Sequence, residues 1–234
     1  MADQLREHRY VQLSQSKWFL TFAIVAAASL LTANIVAVKL VSILGFVLPG
    51  GAIVYPITFI VDDMITEVYG YSAARAVIWY GFLANLLFVV AAEVVLFLPA
   101  AGYWDGQEAY ERILGYTPRL LAAAFVSYLV GTFANAIVMS RMKIWTKGRA
   151  LWTRTISSTF VGQGLDSLFF VSIAFAGQLM WSQLLRVIIT VWLFKTAYEV
   201  VLTPITYIAI NWLKKTERLD TFDTNTNYNP FILG

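Results

Sequence analysis

The chain has 234 residues, of which 59% are apolar and only 13% charged, with a formal net charge of +3. Globular domains average about 45–50% apolar and about 25% charged. The absence of cysteine excludes disulfides and thiolate metal sites. The single histidine, His8, sits in the polar N-terminus, which excludes histidine chemistry in the apolar part of the chain. The apolar excess is gathered in runs long enough to cross a bilayer, for which about 20 residues are needed.

Met1 to Lys17 is polar and too long for the n-region of a simple secretory signal, so residues 1–17 are expected to form a cytoplasmic N-terminus. The first apolar run extends from Trp18 to about Val47, with Asn34 and Lys39 as its strongly polar residues. Pro49-Gly50-Gly51 then forces a turn. A second run from about Ala52 to Tyr69 carries Asp62, Asp63 and Glu67 and is broken at Gly70. A third runs from Ala73 to Leu98 and is closed by Pro99. Ala100 to Pro118 reads as a polar loop, and Arg119 to Ser140 as a fourth span. Arg141 to Thr155 reads as a basic loop, followed by spans from Ile156 to Met180 and from Leu184 to Leu213. The expected organisation is all-α: six transmembrane helices over residues 18–213 and a polar tail over 214–234 that is at least partly unordered.

The second run is the least apolar, and charge placement supports counting it. With six spans and both termini cytoplasmic, the inner segments hold Arg6, Arg9, Lys17, Arg75, Arg141, Lys143, Lys147, Arg149, Arg154, Lys214, Lys215 and Arg218. The outer segments hold only Arg112, Arg119 and Arg186. That asymmetry follows the positive-inside rule, and omitting the second span would place the Arg141–Arg154 loop outside. The same rule accounts for the basic balance, so nothing points to nucleic acid as a partner. No P-loop is present, so the chain is not expected to hydrolyse ATP itself.

Eight charged residues fall within these spans: Lys39, Asp62, Asp63, Glu67, Glu93, Asp166, Lys195 and Glu199. Each costs at least about 2.5 kcal/mol near a helix centre. Six carboxylates against two lysines call for pairing, bound protons or cations, or a donor-rich ligand. Helical spacing places Phe59, Asp63, Glu67 and Gly70 on one face, and Thr159, Gln163, Asp166 and Phe170 on another. Lys195 and Glu199 are i, i+4 neighbours and read equally as an intrahelical ion pair. Glu93 and Lys39, near the outer ends, read as interfacial and snorkelling residues. Asp62 beside Asp63 implies that one faces a cavity and the other a partner helix or a proton. Of the 36 aromatic residues, most serve core and interfacial belt. Carboxylates and amides on three helices suit a small solute rich in N–H donors, because a carboxylate accepts two parallel hydrogen bonds. The Watson–Crick edge of a guanine offers such a pair, and Gln163 or Asn34 could supply both donor and acceptor. The same groups also suit a cation or a proton relay. These residues therefore define a transporter of a small polar or cationic solute.

The stretch Tyr55 to Gly70, with Asp62-Asp63 and Glu67 and followed by Ala74-Arg75, resembles the second-span motif of the queuosine precursor transporters, also called the vitamin uptake transporter family. Ser157 to Ser167, with Gln163 and Asp166, running into Ile173-Ala174-Phe175, resembles that family's fifth-span motif. Phe194-Lys195 and the tail Thr226 to Phe231 fit as well, so the resemblance covers nearly the whole chain. It implies a fold similar to the substrate-binding subunits of energy-coupling-factor transporters. It also implies uptake, across the inner membrane, of 7-cyano- or 7-aminomethyl-7-deazaguanine or queuine. By resemblance the substrate-binding role falls on Asp63, Glu67, Gln163 and Asp166. The polar residues Asn34, Lys195 and Glu199 complete the candidate site.

No cofactor, metal site or catalytic residue is expected. The partners implied are a deazaguanine base and membrane lipids; a homodimer and a separate energising ATPase stay open. The rival readings are an intramembrane aspartyl enzyme pairing Asp63 with Asp166, a binding subunit dependent on other chains, and a carrier for another solute such as a vitamin. The enzyme reading is the weaker, since Glu67, Gln163 and Lys195 beside those aspartates read as a recognition cavity.

Overall fold

The computed structural model describes residues 16–43, 46–115 and 118–232. Most of the cytoplasmic N-terminus expected over residues 1–17, His8 included, lies outside them. Among the described residues, seven α-helices account for most of the fold. They are α1 (Phe19–Val36), α2 (Tyr55–Met64), α3 (Tyr71–Phe97), α4 (Gln107–Leu114), α5 (Pro118–Trp145), α6 (Leu151–Phe175) and α7 (Trp181–Glu217). Among the described residues, four helical stretches are long and apolar enough to cross a membrane: α1, α3, the stretch through α5, and α6. Their outward faces carry residues such as Leu20, Ile24, Leu87, Val94, Phe160 and Leu168, as lipid-facing helices do.

Small residues set the packing. In α1 the buried positions are Ala26, Ser29 and Ala33, a stripe that lets neighbouring backbones approach. The opposite end of that approach is Gly50 and Gly51. A Cβ on Gly50 would meet the carbonyl oxygen of Val36 at 2.5 Å, and one on Gly51 that of Ala33 at 2.6 Å. Helices α5 and α6 form the most extensive pairing. A Cβ on Gly131 would lie 2.7 Å from Cβ of Asp166, and one on Gly162 would lie 2.8 Å from Cβ of Asn135. These two glycines thus bring Asn135 and Asp166 into the same layer.

The first apolar run does not continue as one helix to Val47. α1 ends at Val36, and Leu40–Ile43 pairs antiparallel with Phe46–Pro49 as a short hairpin, β1 and β2. The β-branched residues Val41, Ile43 and Val47 favour that conformation, and an apolar run alone does not separate strand from helix. Lys39 is left exposed in the turn between α1 and β1. The expected loop at 100–118 contains α4, an exposed amphipathic helix whose Arg112 pairs with Glu108. The expected basic loop at 141–155 is mostly helix: α5 runs on to Trp145 and α6 starts at Leu151. The turn between them is tight, with Lys147, Gly148 and Ala150 at positive φ.

The long segments alternate in direction. Gly50 packs beside the end of α1, whereas Tyr69 meets Phe19 edge-to-face at its start, with ring centroids 5.1 Å apart. Residues 50–69 therefore run back along the whole of α1. At the start of α1 the Trp18 amide donates to Glu217 at the end of α7, over 3.0 Å. At the other end Arg119 of α5 donates to the carbonyl groups of Ile173 and Ala176, beside the end of α6.

The tail is ordered against the end of the bundle where α1 starts. Gly70, at φ +85°, passes so close that a Cβ would meet Thr221 at 2.8 Å. Asp223 accepts from the Tyr71 amide at 2.8 Å and the Ser140 hydroxyl at 2.7 Å. Buried Arg75 donates to the carbonyl groups of Asn227 and Asn229 at 3.0 and 2.9 Å. The Trp79 indole donates to that of Pro230 at 2.7 Å. Deleting Asn225–Gly234 removes all three acceptors and strands a buried guanidinium, at about 1–3 kcal/mol or more. The truncated protein is expected to melt several degrees lower in detergent; an unchanged melting curve would show that these bonds contribute nothing.

Candidate functional site

Apart from the tail contacts of Arg75, Ser140 and Asp223, the buried charged and amide groups among the described residues fall into three assemblies. The first surrounds Glu67. From Asp63 to Glu67 the helix changes pitch: after Met64, residues Ile65–Tyr69 form a π-helical turn that ends at Gly70. A π turn holds an extra residue and rotates the side chains beyond it. Glu67 consequently leaves the face of Asp63 and turns toward the tail. Its carboxylate takes a two-pronged contact from Arg154, Nε to Oε2 at 2.8 Å and Nη2 to Oε1 at 2.6 Å. Lys214 donates to Oε1 at 2.6 Å, and Lys143 lies 3.5 Å from the same oxygen. Asp220 bridges both lysines. Burial works against its charge, but Lys143 and Lys214 prevail and hold its carboxyl below the ordinary range. Arg154 also donates to the Arg149 carbonyl at 2.7 Å, which fixes the α5–α6 turn.

The second assembly is small. Asn34 of α1 donates to Asn85 of α3 at 3.1 Å. This amide pair sits in the α1–α3 contact, on the stripe of α3 that also includes Ile78, Gly81 and Val89.

The third lies among α2, α5, α6 and α7. Lys195 of α7 donates to Oδ2 of Asp166 on α6 at 2.6 Å and lies 5.9 Å from the Tyr55 ring centroid. Lys195 is therefore tied to Asp166 and not, as its i, i+4 spacing allowed, to Glu199. Both side chains of this pair are 21% exposed. Asp63 and Glu199 are 1% and 0% exposed, and neither carboxylate has a hydrogen-bond partner. They lie within electrostatic reach of each other, and Asn135 faces Asp63 without forming a proper bond. The Asn135 carbonyl oxygen and the hydroxyls of Ser167 and Thr196 are likewise buried without partners. Gln163 stands one turn before Asp166 and Ser167 on α6. Asp62 lines a cavity of about 10 Å³ with Thr66, Thr132 and Asn135, room for about one water molecule. Asp63 and Glu199 are thus closed off, whereas Asp166 and Lys195 remain partly accessible.

Of the residues singled out in the sequence, the fold brings Asp63 within reach of Glu199 and ties Asp166 to Lys195, with Gln163 one turn from Asp166. Glu67, still within electrostatic reach of Asp63, and Asn34 have partners of their own. Asn135, which faces Asp63, carries no charge and stands in an apolar run, so its place there was not visible in the sequence. Arg154 and Lys143 were read there as loop cations.

A helical, multi-pass membrane protein with charged and amide groups enclosed between its helices has the build of a small-solute carrier. Residues 49–209 match the family described as putative vitamin uptake transporter, and the chain belongs to that family. It is 32% identical over 189 residues to the probable queuosine precursor transporter of Bacillus subtilis (strain 168), covering 80% of this chain and 82% of that one. It is 29% identical over 135 residues to the queuosine precursor transporter of Escherichia coli (strain K12), 58% of each chain. A third relative, the probable queuosine precursor transporter of Haemophilus influenzae (strain ATCC 51907 / DSM 11121 / KW20 / Rd), is 28% identical over 167 residues, 66% of this chain and 68% of its own. No solved structure matches the chain. The family is one of transporters and not of enzymes.

Proposed function

We propose that this protein imports queuosine precursors: 7-deazaguanine bases such as the 7-cyano and 7-aminomethyl forms, or queuine. The relatives' names support the solute class. The observation that carries the site is the buried pair Asp63 and Glu199, whose carboxylate oxygens lack protein donors. A carboxylate in that setting accepts N–H groups of a donor-rich base or pairs with its ammonium. Asp166, with Gln163 one turn earlier and Lys195 on its other side, reads the Watson–Crick edge. Glu67 and Asn34, both named as ligands from the sequence, hold the helices that carry the site. A thermal-shift screen of deazapurines against vitamins tests the reading. Stabilisation by a deazaguanine and by no vitamin is the expected result; the reverse pattern would make this a vitamin carrier.

The same reading includes six crossings, with residues 50–69 as the second and α7 as the sixth, and both termini cytoplasmic in the inner membrane. Support comes from the alternating directions of the segments and from the asymmetry of lysine and arginine. Cysteines placed at Lys147 and Gln107 are then expected to label from opposite sides with an impermeant reagent. Labelling of both from outside would overturn the topology. Reconstitution of the purified protein alone in liposomes separates a self-sufficient carrier from a binding subunit, like those of energy-coupling-factor transporters, that depends on a separate ATPase.

A further inference from the structure

Two fully buried carboxylates in mutual electrostatic reach, with no donor on either, cannot both be ionised at low cost. The charged and titratable groups around them leave the pair uncompensated. On α2 stand Tyr55, Asp62 and, beyond the π turn, Glu67, which is held by Arg154, Lys143 and Lys214. On α7 stand Lys195 and Tyr198, and on α6 Asp166, which engages Lys195. α5 brings Tyr128, whose hydroxyl is directed at the Ile78 carbonyl at 3.4 Å. α1 has no charged residue along its length. The cations facing this layer are thus committed elsewhere. A neighbouring group also points to a bound species: the Asn135 carbonyl oxygen, on the side chain that faces Asp63, is buried without a partner.

We propose that Asp63 and Glu199 together hold one exchangeable proton, which leaves when the cationic group of a substrate takes its place. In that step the O–H bond of the protonated carboxyl breaks, the proton passes to water, and the carboxylate that remains pairs with the incoming ammonium. The charge of the site is the same before and after, so the bilayer interior never has to hold an uncompensated pair of anions. The substrate class is a cationic deazaguanine, and the inference rests on the deazaguanine reading above. A neutral 7-cyano base would bind without displacing the proton.

The test is calorimetry on the full chain in detergent, at one pH, in two buffers of different ionisation enthalpy. The probes are 7-aminomethyl- and 7-cyano-7-deazaguanine. About one proton released per aminomethyl base bound, and none per cyano base, is the expected result. By linkage, affinity for the aminomethyl base then rises up to about tenfold per pH unit, while that for the cyano base stays level. Equal proton counts for the two bases, zero included, overturn the exchange while leaving deazaguanine recognition intact. Binding of the cyano base alone overturns it as well. Failure of both bases to bind removes the substrate reading, and the exchange with it. Glu199→Gln and Asp63→Asn locate the proton: each is expected to lose the release, and unchanged release in either folded variant overturns the assignment. Should neither variant fold, infrared spectroscopy of the wild type serves instead. The carbonyl stretch of a protonated carboxyl is expected to vanish when the aminomethyl base binds, and its persistence overturns the proposal.

Discussion

Replacing Arg154 with methionine is expected to destabilise the protein by about 3–5 kcal/mol, the usual cost of breaking a buried ion pair from one side. Glu67 is fully buried, and Arg154 supplies its two-pronged contact. Lys214, 19% exposed, and Lys143 stay behind, but neither can reproduce a planar fork. Arg154→Lys keeps the charge and loses the fork, so an intermediate loss is expected. Glu67→Gln inverts the fault by leaving Arg154, Lys143 and Lys214 facing an amide, with Asp220 as their remaining acid. For a chain of this size about 1 kcal/mol corresponds to roughly 2–4 °C. The Arg154→Met protein should therefore melt at least about 6 °C lower in detergent. A wild-type melting curve would mean that the tail and helix packing hold this end without the network. The loss should reach function too, since Glu67 lies one turn from Asp63 and anchors the helix that positions it.

Much of this arrangement was legible in the sequence, for identifiable reasons. A bilayer demands long apolar helices, so α3 could be bounded within a few residues by Gly70 and Pro99, whereas α6 starts at Leu151, inside the expected basic loop. The charges inside the apolar runs were costly enough to stand out, which is why Asp63, Asp166, Lys195 and Glu199 were singled out. Partner choice was not legible. Lys195 had Glu199 one turn away on its own helix, yet the close α5–α6 approach at Gly131 and Gly162 fixes Asp166, and Lys195 bonds it. Glu67 was grouped with Asp63 by ordinary helical spacing, and the π turn at Ile65–Tyr69 breaks that spacing. Arg154 looked like a topology-setting loop cation because its acid lies 87 positions away in the chain. The hairpin at Leu40–Pro49 escaped notice because β-branched apolar residues in a membrane-length run read as helix.

The pair Asp166–Lys195 separates recognition from architecture. Asp166→Asn is expected to weaken deazaguanine binding by about 30-fold or more. An amide that turns a donor toward a donor forfeits about 2–5 kcal/mol of a charge-assisted contact, at about 1.4 kcal/mol per tenfold. From sequence alone this change should barely alter stability, or raise it, because a charge leaves the membrane. The geometry reverses that expectation: Oδ2 of Asp166 is bonded to Lys195 at 2.6 Å, and its loss leaves a lysine between helices with no counter-charge. Asp166→Asn should therefore melt below the wild type, and Lys195→Met should do the same by stranding Asp166. The double variant removes both charges and should melt close to the wild type, a coupling of the kind a double-mutant cycle measures. Binding should not recover with it, because the acceptor for the ligand is still missing. Calorimetry and thermal melting on the three proteins give both readouts. If the double variant regains affinity along with stability, Asp166 serves only to hold α6 against α7, and recognition passes to Asp63 and Glu199.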